Sequence, residues 1–133
     1  MNTEKTIPAL ILGDKNAEFH SSLNNFLEDL DIEVKCFTTG ERVISETKKN
    51  QNVFLIVLSE SLSDIDSFST IDIIQQKSGH NIPIVVLLQK YSDDLQKKII
   101  QRNILCSIGE PINLQDLKTL VKKNLQNHLS KKD

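Results

Sequence analysis

Four polar residues that could do chemistry follow short apolar runs in the sequence. Asp14, Ser59, Glu60 and Glu110 each lie within two residues of the end of such a run. A serine hydroxyl becomes a nucleophile when a neighbouring base removes its proton. None of the three histidines follows an apolar run. The sequence therefore offers Ser59 no base and predicts no serine-based catalysis.

The histidines and cysteines are too few and too far apart to predict a metal site. His20, His80 and His128 never fall four residues apart, the spacing that places two side chains on one helix face. Cys36 and Cys106 alone form neither a disulfide framework nor a zinc knuckle. We interpret both thiols as small apolar side chains of a cytoplasmic protein.

Other charged groups are interpreted as structural. Asp64 and Asp66 fall in a serine-rich turn segment, where aspartate caps and bends the chain, and this role is favoured over a metal site. A basic cluster near the end of the sequence suits a helix C-terminus better than nucleic acid, because no aromatic residue is interleaved. Its members are Lys122, Lys123, His128, Lys131 and Lys132. No GxGxxG or P-loop motif occurs, so no phosphate-binding glycine loop is predicted.

Five apolar runs must position the residues that follow them. The third and fourth are nearly continuous and rich in valine and isoleucine, which is typical of strands buried on both faces. The predicted strands are Ala9–Leu12, Ile32–Phe37, Val53–Leu58, Ile82–Leu88 and Ile104–Ile108.

Each run is followed by a stretch with helical spacing of its apolar residues. In the first helix Leu23, Leu27 and Leu30 share one face. Thr39-Gly40 begins the second helix, and Ser92 and Asn113 are predicted N-caps of the fourth and fifth. The apolar residues that mark helices two to five are Val43 and Ile44, then Phe68, Ile71 and Ile74, then Leu95, Ile99 and Ile100, and finally Leu114, Leu117, Leu120, Val121 and Leu125.

This alternation predicts a three-layer, doubly wound (βα)5 fold of the flavodoxin type. Right-handed crossovers give a parallel sheet with helices on both faces, and the commonest strand order is 2-1-3-4-5. Residues 1–133 form one domain with its core at about 7–129. Cys36 and Cys106 then lie at opposite edges, too far apart to bridge. Ligands bind such sheets beyond the carboxyl ends of the strands, where the polar residues lie.

Composition excludes several classes of protein. The chain has 133 residues, 16 basic and 18 acidic, for a net charge of −2. This balance argues against direct nucleic-acid binding. No apolar run reaches the roughly 20 residues of a membrane span, and no signal sequence begins the chain. A cytoplasmic domain without membrane contact is expected.

The segment Leu58–Phe68 resembles the third strand and following loop of response-regulator receiver domains. In that family a phosphoacceptor aspartate follows the strand, with leucine or methionine three residues later. Ser59 takes the acceptor position and Leu62 the leucine position. Placing Glu60 at the acceptor would put Ser63 in the leucine position, so we prefer Ser59. The resemblance covers about residues 7 to 129 and implies the CheY-like fold.

The reactive positions of the family are changed in this chain. Gly13-Asp14 stands at the acidic pair, so one metal carboxylate is missing. Leu88 stands at the threonine or serine, Glu110 at the phosphate-binding lysine, and Ser107 at the aromatic switch residue. The family also implies a cis bond at Glu110-Pro111. We expect a pseudo-receiver that is not an enzyme, has no cofactor and does not hold Mg²⁺, because one carboxylate holds this ion poorly.

Active receivers signal through the face of helix 4, strand 5 and helix 5, here about Ser92 to Gln126. With Leu88 and Ser107 at the switch positions, this face is expected to be fixed in one state. Leu95 and Ile99 are its candidate apolar contacts. The expected partner is another protein or a second copy of the chain.

A narrower resemblance is to the N-terminal domain of FleQ-type flagellar regulators, which activate transcription with an alternative sigma factor. The similar segments are Asn16–Leu30, Val53–Glu60 and Cys106–Pro111. The resemblance implies a regulatory domain of a longer activator. Two alternatives remain: an active receiver phosphorylated at an atypical site, and a flavodoxin-like domain that binds a small ligand.

Overall fold

Five parallel strands form one sheet in the order β2-β1-β3-β4-β5. The computed structural model describes residues 7–60, 62–77 and 82–130. The strands are β1 (Ala9–Gly13), β2 (Glu33–Phe37), β3 (Val53–Ser59), β4 (Ile84–Leu88) and β5 (Cys106–Gly109). The predicted fold and strand order are confirmed, and the predicted strand ends differ by one or two residues.

One helix follows each strand, as predicted. The helices are α1 (Ala17–Phe26), α2 (Gly40–Lys49), α3 (Ser67–Lys77), α4 (Asp93–Ile100) and α5 (Leu114–Ser130). Ser92 and Asn113 accept hydrogen bonds from the backbone N–H groups of Leu95 and Asp116, so both predicted N-caps form. No helix within the described ranges is long and apolar enough to cross a membrane.

The two faces of the sheet bury separate apolar cores. One core lies beneath α2, α3 and α4 and includes Ile11, Leu58 and Leu88. The other lies beneath α1 and α5 and includes Leu12 and Leu87. Because side chains alternate along a strand, adjacent residues such as these enter opposite cores.

The loop between β3 and α3 caps two helices with its aspartates. Asp64 Oδ1 accepts from Gly40 N at 2.7 Å and Oδ2 from Glu41 N at 3.0 Å, so it caps α2 from a distant part of the chain. Asp66 Oδ1 accepts from the N–H groups of Phe68 and Ser69 at the start of α3. These bonds, against a smaller opposing effect of burial, lower the pKa of Asp66. Both aspartates therefore have the structural role inferred from the sequence.

The edge positions of β2 and β5 separate the two cysteines. Cys36 lies on β2 and Cys106 on β5, and both are free thiols. Burial raises the pKa of each, so both stay protonated at neutral pH. Their predicted separation is confirmed, and each is half-buried against the core beneath α1 and α5.

Candidate functional site

A cleft of about 60 Å³ opens at the carboxyl ends of β1, β3, β4 and β5. The structure brings three predicted site residues together there: Asp14, Ser59 and Glu110. The complete lining is Asp14, Asn16, Phe19, Ser59, Leu87, Gln89, Glu110 and Ile112. Four strand ends meet at this point, which is why residues far apart in sequence share one cleft.

Asp14 is the buried acid of the cleft, with 8 % of its surface exposed. Its Oδ1 accepts from Asn16 N at 2.9 Å, and its carboxylate also accepts a hydrogen bond from the Ser59 hydroxyl. Burial raises the pKa of Asp14, although these two hydrogen bonds oppose the shift. The carboxylate is thus already committed to partners within the chain.

Ser59 is held by its backbone as well as its side chain. The Ser67 hydroxyl donates to the Ser59 carbonyl oxygen, and Ser59 itself is buried. His20 lies nearby, but its Nε2 is 2.6 Å from the Asp14 carbonyl oxygen and therefore donates to the backbone. His20 is therefore not placed to remove the Ser59 proton.

Gly13 and Leu88 lie outside the cleft, in the core beneath α2, α3 and α4. A Cβ at Gly13 would lie 2.6 Å from Leu58 Cδ2 and 3.0 Å from Val43 Cγ2. Leu88 is 1 % exposed and packs in the same core. Apolar packing therefore occupies the space at both positions, where the receiver family has an acid and a hydroxyl.

Glu110 brings a second carboxylate to the cleft. It is exposed, its N–H donates to the Leu88 carbonyl oxygen at 3.0 Å, and the Glu110–Pro111 peptide bond is cis. No lysine or arginine is among the residues that line the cleft. Two carboxylates without a lining cation repel an anion such as a phosphoryl group.

The described residues do not fit a Mg²⁺ ion. No group of three histidine, cysteine, aspartate or glutamate side chains within the described ranges could hold a metal ion. Asp14 is hydrogen-bonded within the chain, and Mg²⁺ requires oxygen ligands in near-ideal octahedral geometry.

Sequence reasoning missed Glu60 and Gln89 as a contact across the cleft rim. Gln89 N donates to Glu60 Oε1 at 2.7 Å. Each residue directly follows a strand, but no local pattern relates positions 29 residues apart. A third missed residue is Asn16, which also lines the cleft. The one local signal for it is an asparagine directly before a helix, and its side chain does cap α1 by accepting from Glu18 N and Phe19 N.

The proposed switch and interface residues lie largely inward. Leu95 and Ile99 of α4 are half-buried and pack against the core beneath α2, α3 and α4. Ser107 is half-buried on β5, opposite Val86 of β4. The exposed apolar surface of this region instead comes from Ile100, at 71 % exposure, with Leu105 at 48 % and Tyr91.

His128 contacts two residues at the start of β3. His128 Nε2 lies 3.0 Å from Asn52 Oδ1, and its ring is 6.0 Å from that of Phe54. This contact joins α5 to the start of β3, at the opposite end of the sheet from the cleft. His80, Lys131 and Lys132 lie outside the described residues.

Solved structures identify the fold. A signal receiver domain from a protein of Vibrio parahaemolyticus that is described as a LuxO repressor is 22 % identical to this chain. The TM-score is 0.82, and the similarity covers 96 % of each chain. A CheY-like receiver domain from Methanospirillum hungatei is 15 % identical, with a TM-score of 0.80 over 95 % of this chain and 99 % of its own. A two-component response regulator from Clostridium difficile is 24 % identical, with a TM-score of 0.79 over 90 % and 96 %.

The chain has the response-regulator receiver fold. No family model matches the sequence, and no curated protein matches it. The receiver fold explains why the cleft lies at the strand ends.

Replacing Asp14 by asparagine tests the buried acid. Its raised pKa means that the stability associated with the protonated form is present at low pH and is lost as pH rises through that pKa. Asparagine keeps an acceptor for Asn16 N without the charge. We expect Asp14→Asn to be more stable than wild type at pH 7, with the difference shrinking as pH falls through the raised pKa and levelling off below about pH 4. Urea unfolding across this pH range measures it.

Three other acidic residues, Glu46, Asp64 and Asp66, also change stability with pH but do not affect this comparison. Their pKa values are lowered, so their contribution to stability is lost as pH falls, the opposite sign. They are present in both proteins and cancel in the difference. A variant less stable than wild type at pH 7 would contradict the assignment of Asp14 as a buried, unfavourable charge.

Proposed function

We propose that the chain is a pseudo-receiver, a signalling domain that acts through protein contacts without being phosphorylated. The observation that carries this proposal is the residue at the acceptor position. Ser59 stands there without a carboxylate, buried in the same cleft as Asp14. An aspartyl phosphate cannot form on a serine.

The surroundings of Ser59 support the same conclusion. Phosphoryl transfer relies on positioned cations that stabilise the charge of the transferred group. Glu110 brings negative charge to the cleft instead, and no basic residue lines it. Leu88 brings no hydroxyl that could report a phosphoryl group.

The test is titration of the chain with beryllofluoride and Mg²⁺, followed by backbone amide NMR. Beryllofluoride stands in for the phosphoryl group of an aspartyl phosphate. We expect no saturable shift at Asp14, Ser59 or Glu110. Saturable shifts that spread to residues 92–126 would mean that the phosphoryl site still works, and would overturn the proposal.

We propose that the partner is a second copy of the chain, bound through the face of α4, β5 and α5. Ile100 and Leu105 give this face exposed apolar surface. A two-fold dimer pairs a surface patch with itself, so a patch that carries both acidic and basic groups can attract its own copy. Exposed carboxylates begin α4 and exposed ammonium groups lie on α5: Asp93, Asp94, Lys122 and Lys123.

Replacing Ile100 by glutamate is expected to weaken the dimer at least tenfold, because a charge would be buried in the apolar part of the interface. Sedimentation equilibrium of the wild type and the variant measures this change. The matched control is Ile7→Glu, an exposed isoleucine before β1, which β3 and β4 separate from β5. A wild type that stays monomeric at high concentration would refute the homodimer, and binding of a different protein through Ile100 would replace it.

We also propose that the domain is the N-terminal regulatory part of a flagellar-type, sigma-factor-dependent transcription activator. The proposal rests on the FleQ-type resemblance of Val53–Glu60 and Cys106–Pro111. One structurally similar domain is described as part of a repressor protein, so this fold occurs in regulators. Detection of the native protein with an antibody against this domain tests it. A species well above 15.1 kDa is expected, and a species of 15.1 kDa would refute it.

A further inference from the structure

A carboxylate on the cleft rim holds the first residue after β4. Gln89 N donates to Glu60 Oε1 at 2.7 Å, and Glu60 N donates to the Leu87 carbonyl oxygen at 3.0 Å. These two contacts join the β3–α3 connection to the β4–α4 connection. A hydrogen bond from an amide to a carboxylate is charge-assisted and stronger than a bond between neutral groups.

The position of Gln89 places this bond close to residue 59, the acceptor position. Gln89 lines the cleft, and Leu87, two residues earlier, is the register partner of Ser59 on the neighbouring strand. Its N–H is therefore a backbone donor close to where an anion on residue 59 would lie. Backbone N–H groups are the donors that phosphoryl oxygens recruit. In this chain the Gln89 N–H already donates to the Glu60 carboxylate.

The other end of α4 is also held. Arg102, just after α4, donates to both carboxylate oxygens of Asp72 on α3, at 2.8 and 3.0 Å. Its guanidinium lies 5.2 Å from the centroid of the Phe68 ring. Gln75 Nε2 adds a bond to the Asn103 carbonyl oxygen at 3.1 Å. The segments that precede and follow α4 are thus both tied to the β3–α3 part of the chain.

We propose that Glu60 is an internal substitute for a phosphoryl oxygen, and that its bond to Gln89 holds α4 in one position permanently. Glu60 is a positioning residue, since it acts on the α4–β5–α5 face through the β4–α4 connection. The inference rests on the proposed function, because that face is the proposed dimer interface. It explains how the face stays organised without phosphorylation: the organising negative charge is already part of the chain.

Amide hydrogen exchange of the 133-residue chain, followed by NMR, tests the proposal. Glu60→Ala removes the acceptor, and we expect exchange at Gln89 to accelerate about tenfold. Amides of α4 (Asp93–Ile100) should also accelerate, since the connection that precedes the helix loses its bond to Glu60. Glu60→Gln keeps an acceptor oxygen without the charge and should give a smaller increase. The control is Glu28→Ala, an exposed carboxylate in the connection between α1 and β2, which should change neither.

Two results would overturn the proposal: unchanged exchange at Gln89 in Glu60→Ala, or acceleration at Gln89 without a response in α4. If Glu60→Ala does not fold, Glu60→Gln decides by the same criteria. These outcomes are distinct from failure of the proposed function. A monomeric wild type would refute the dimer and leave the exchange measurement intact, whereas unchanged exchange would refute the role of Glu60 alone.

Discussion

Replacing Gly40 by alanine is expected to lower the free energy of unfolding by about 2–3 kcal/mol, an effect typical of overpacking a core. An added Cβ would lie 2.2 Å from Thr70 Oγ1 and 2.7 Å from Ile65 Cγ1. Thr70 cannot move easily, because it is fully buried and its hydroxyl donates to the Asp66 carbonyl oxygen at 3.0 Å. The close approach of α2 to α3 therefore requires glycine at this position.

Local helix propensity predicts the opposite sign for this substitution. Alanine is favoured over glycine within a helix by about 1 kcal/mol. The steric conflict must exceed that gain, so a clear loss of stability would show that tertiary packing dominates. Urea unfolding measures the free energy, and the expected fall in Tm is roughly 10 °C.

Gly109 supplies the matched control. A Cβ there meets no atom within 4 Å, so Gly109→Ala should change the free energy of unfolding by no more than about 0.5 kcal/mol. The double variant Gly40→Ala, Thr70→Ala should recover part of the loss, because it removes the nearer of the two obstructing atoms. A Gly40→Ala protein as stable as wild type would contradict the packing argument.

Restoring the charges of the cleft is expected to create a beryllofluoride response that the wild type lacks. The double variant Ser59→Asp, Glu110→Lys supplies an acceptor carboxylate beside Asp14 and replaces a repelling charge with an attracting one. We expect the affinity for beryllofluoride with Mg²⁺ to rise at least a hundredfold over the wild type, in line with the losses seen when charge-stabilising groups are removed from active sites. Amide NMR titration measures both proteins.

The restored response should stay local to the cleft. Leu88 still fills the position of the hydroxyl, and Glu60 still holds Gln89, so the bound anion has little means of moving α4. Shifts are expected near residues 14, 59 and 110 and not along residues 92–126.

The control for the restored cleft is Ser59→Asn with Glu110→Lys, which has the same shape without the acceptor charge. An equal response in this control would show that the ion binds by charge attraction alone. A full response in the wild type would show that the substituted residues do not abolish phosphoryl binding.

Much of the fold was predictable because its signals are local. The continuous apolar run of β3 identified a strand buried on both faces, and the strand–helix alternation restricted the topology to a parallel sheet. Capping residues such as Ser92 and Asn113 act within a few positions of themselves. The location of the cleft followed from the topology, because the carboxyl ends of parallel strands lie at one edge of the sheet.

The sequence by itself thus determined the strands, their order and the cleft that gathers Asp14, Ser59 and Glu110. The tertiary structure alone decided which neighbours each residue would meet. It placed the α-carbon of Gly13 against Leu58, where a side chain has no room, and it turned Leu95 and Ile99 inward while leaving Ile100 exposed. It also joined Glu60 to Gln89. The physical reason is that periodicity fixes the face of an element, whereas contacts between elements depend on register and packing distance.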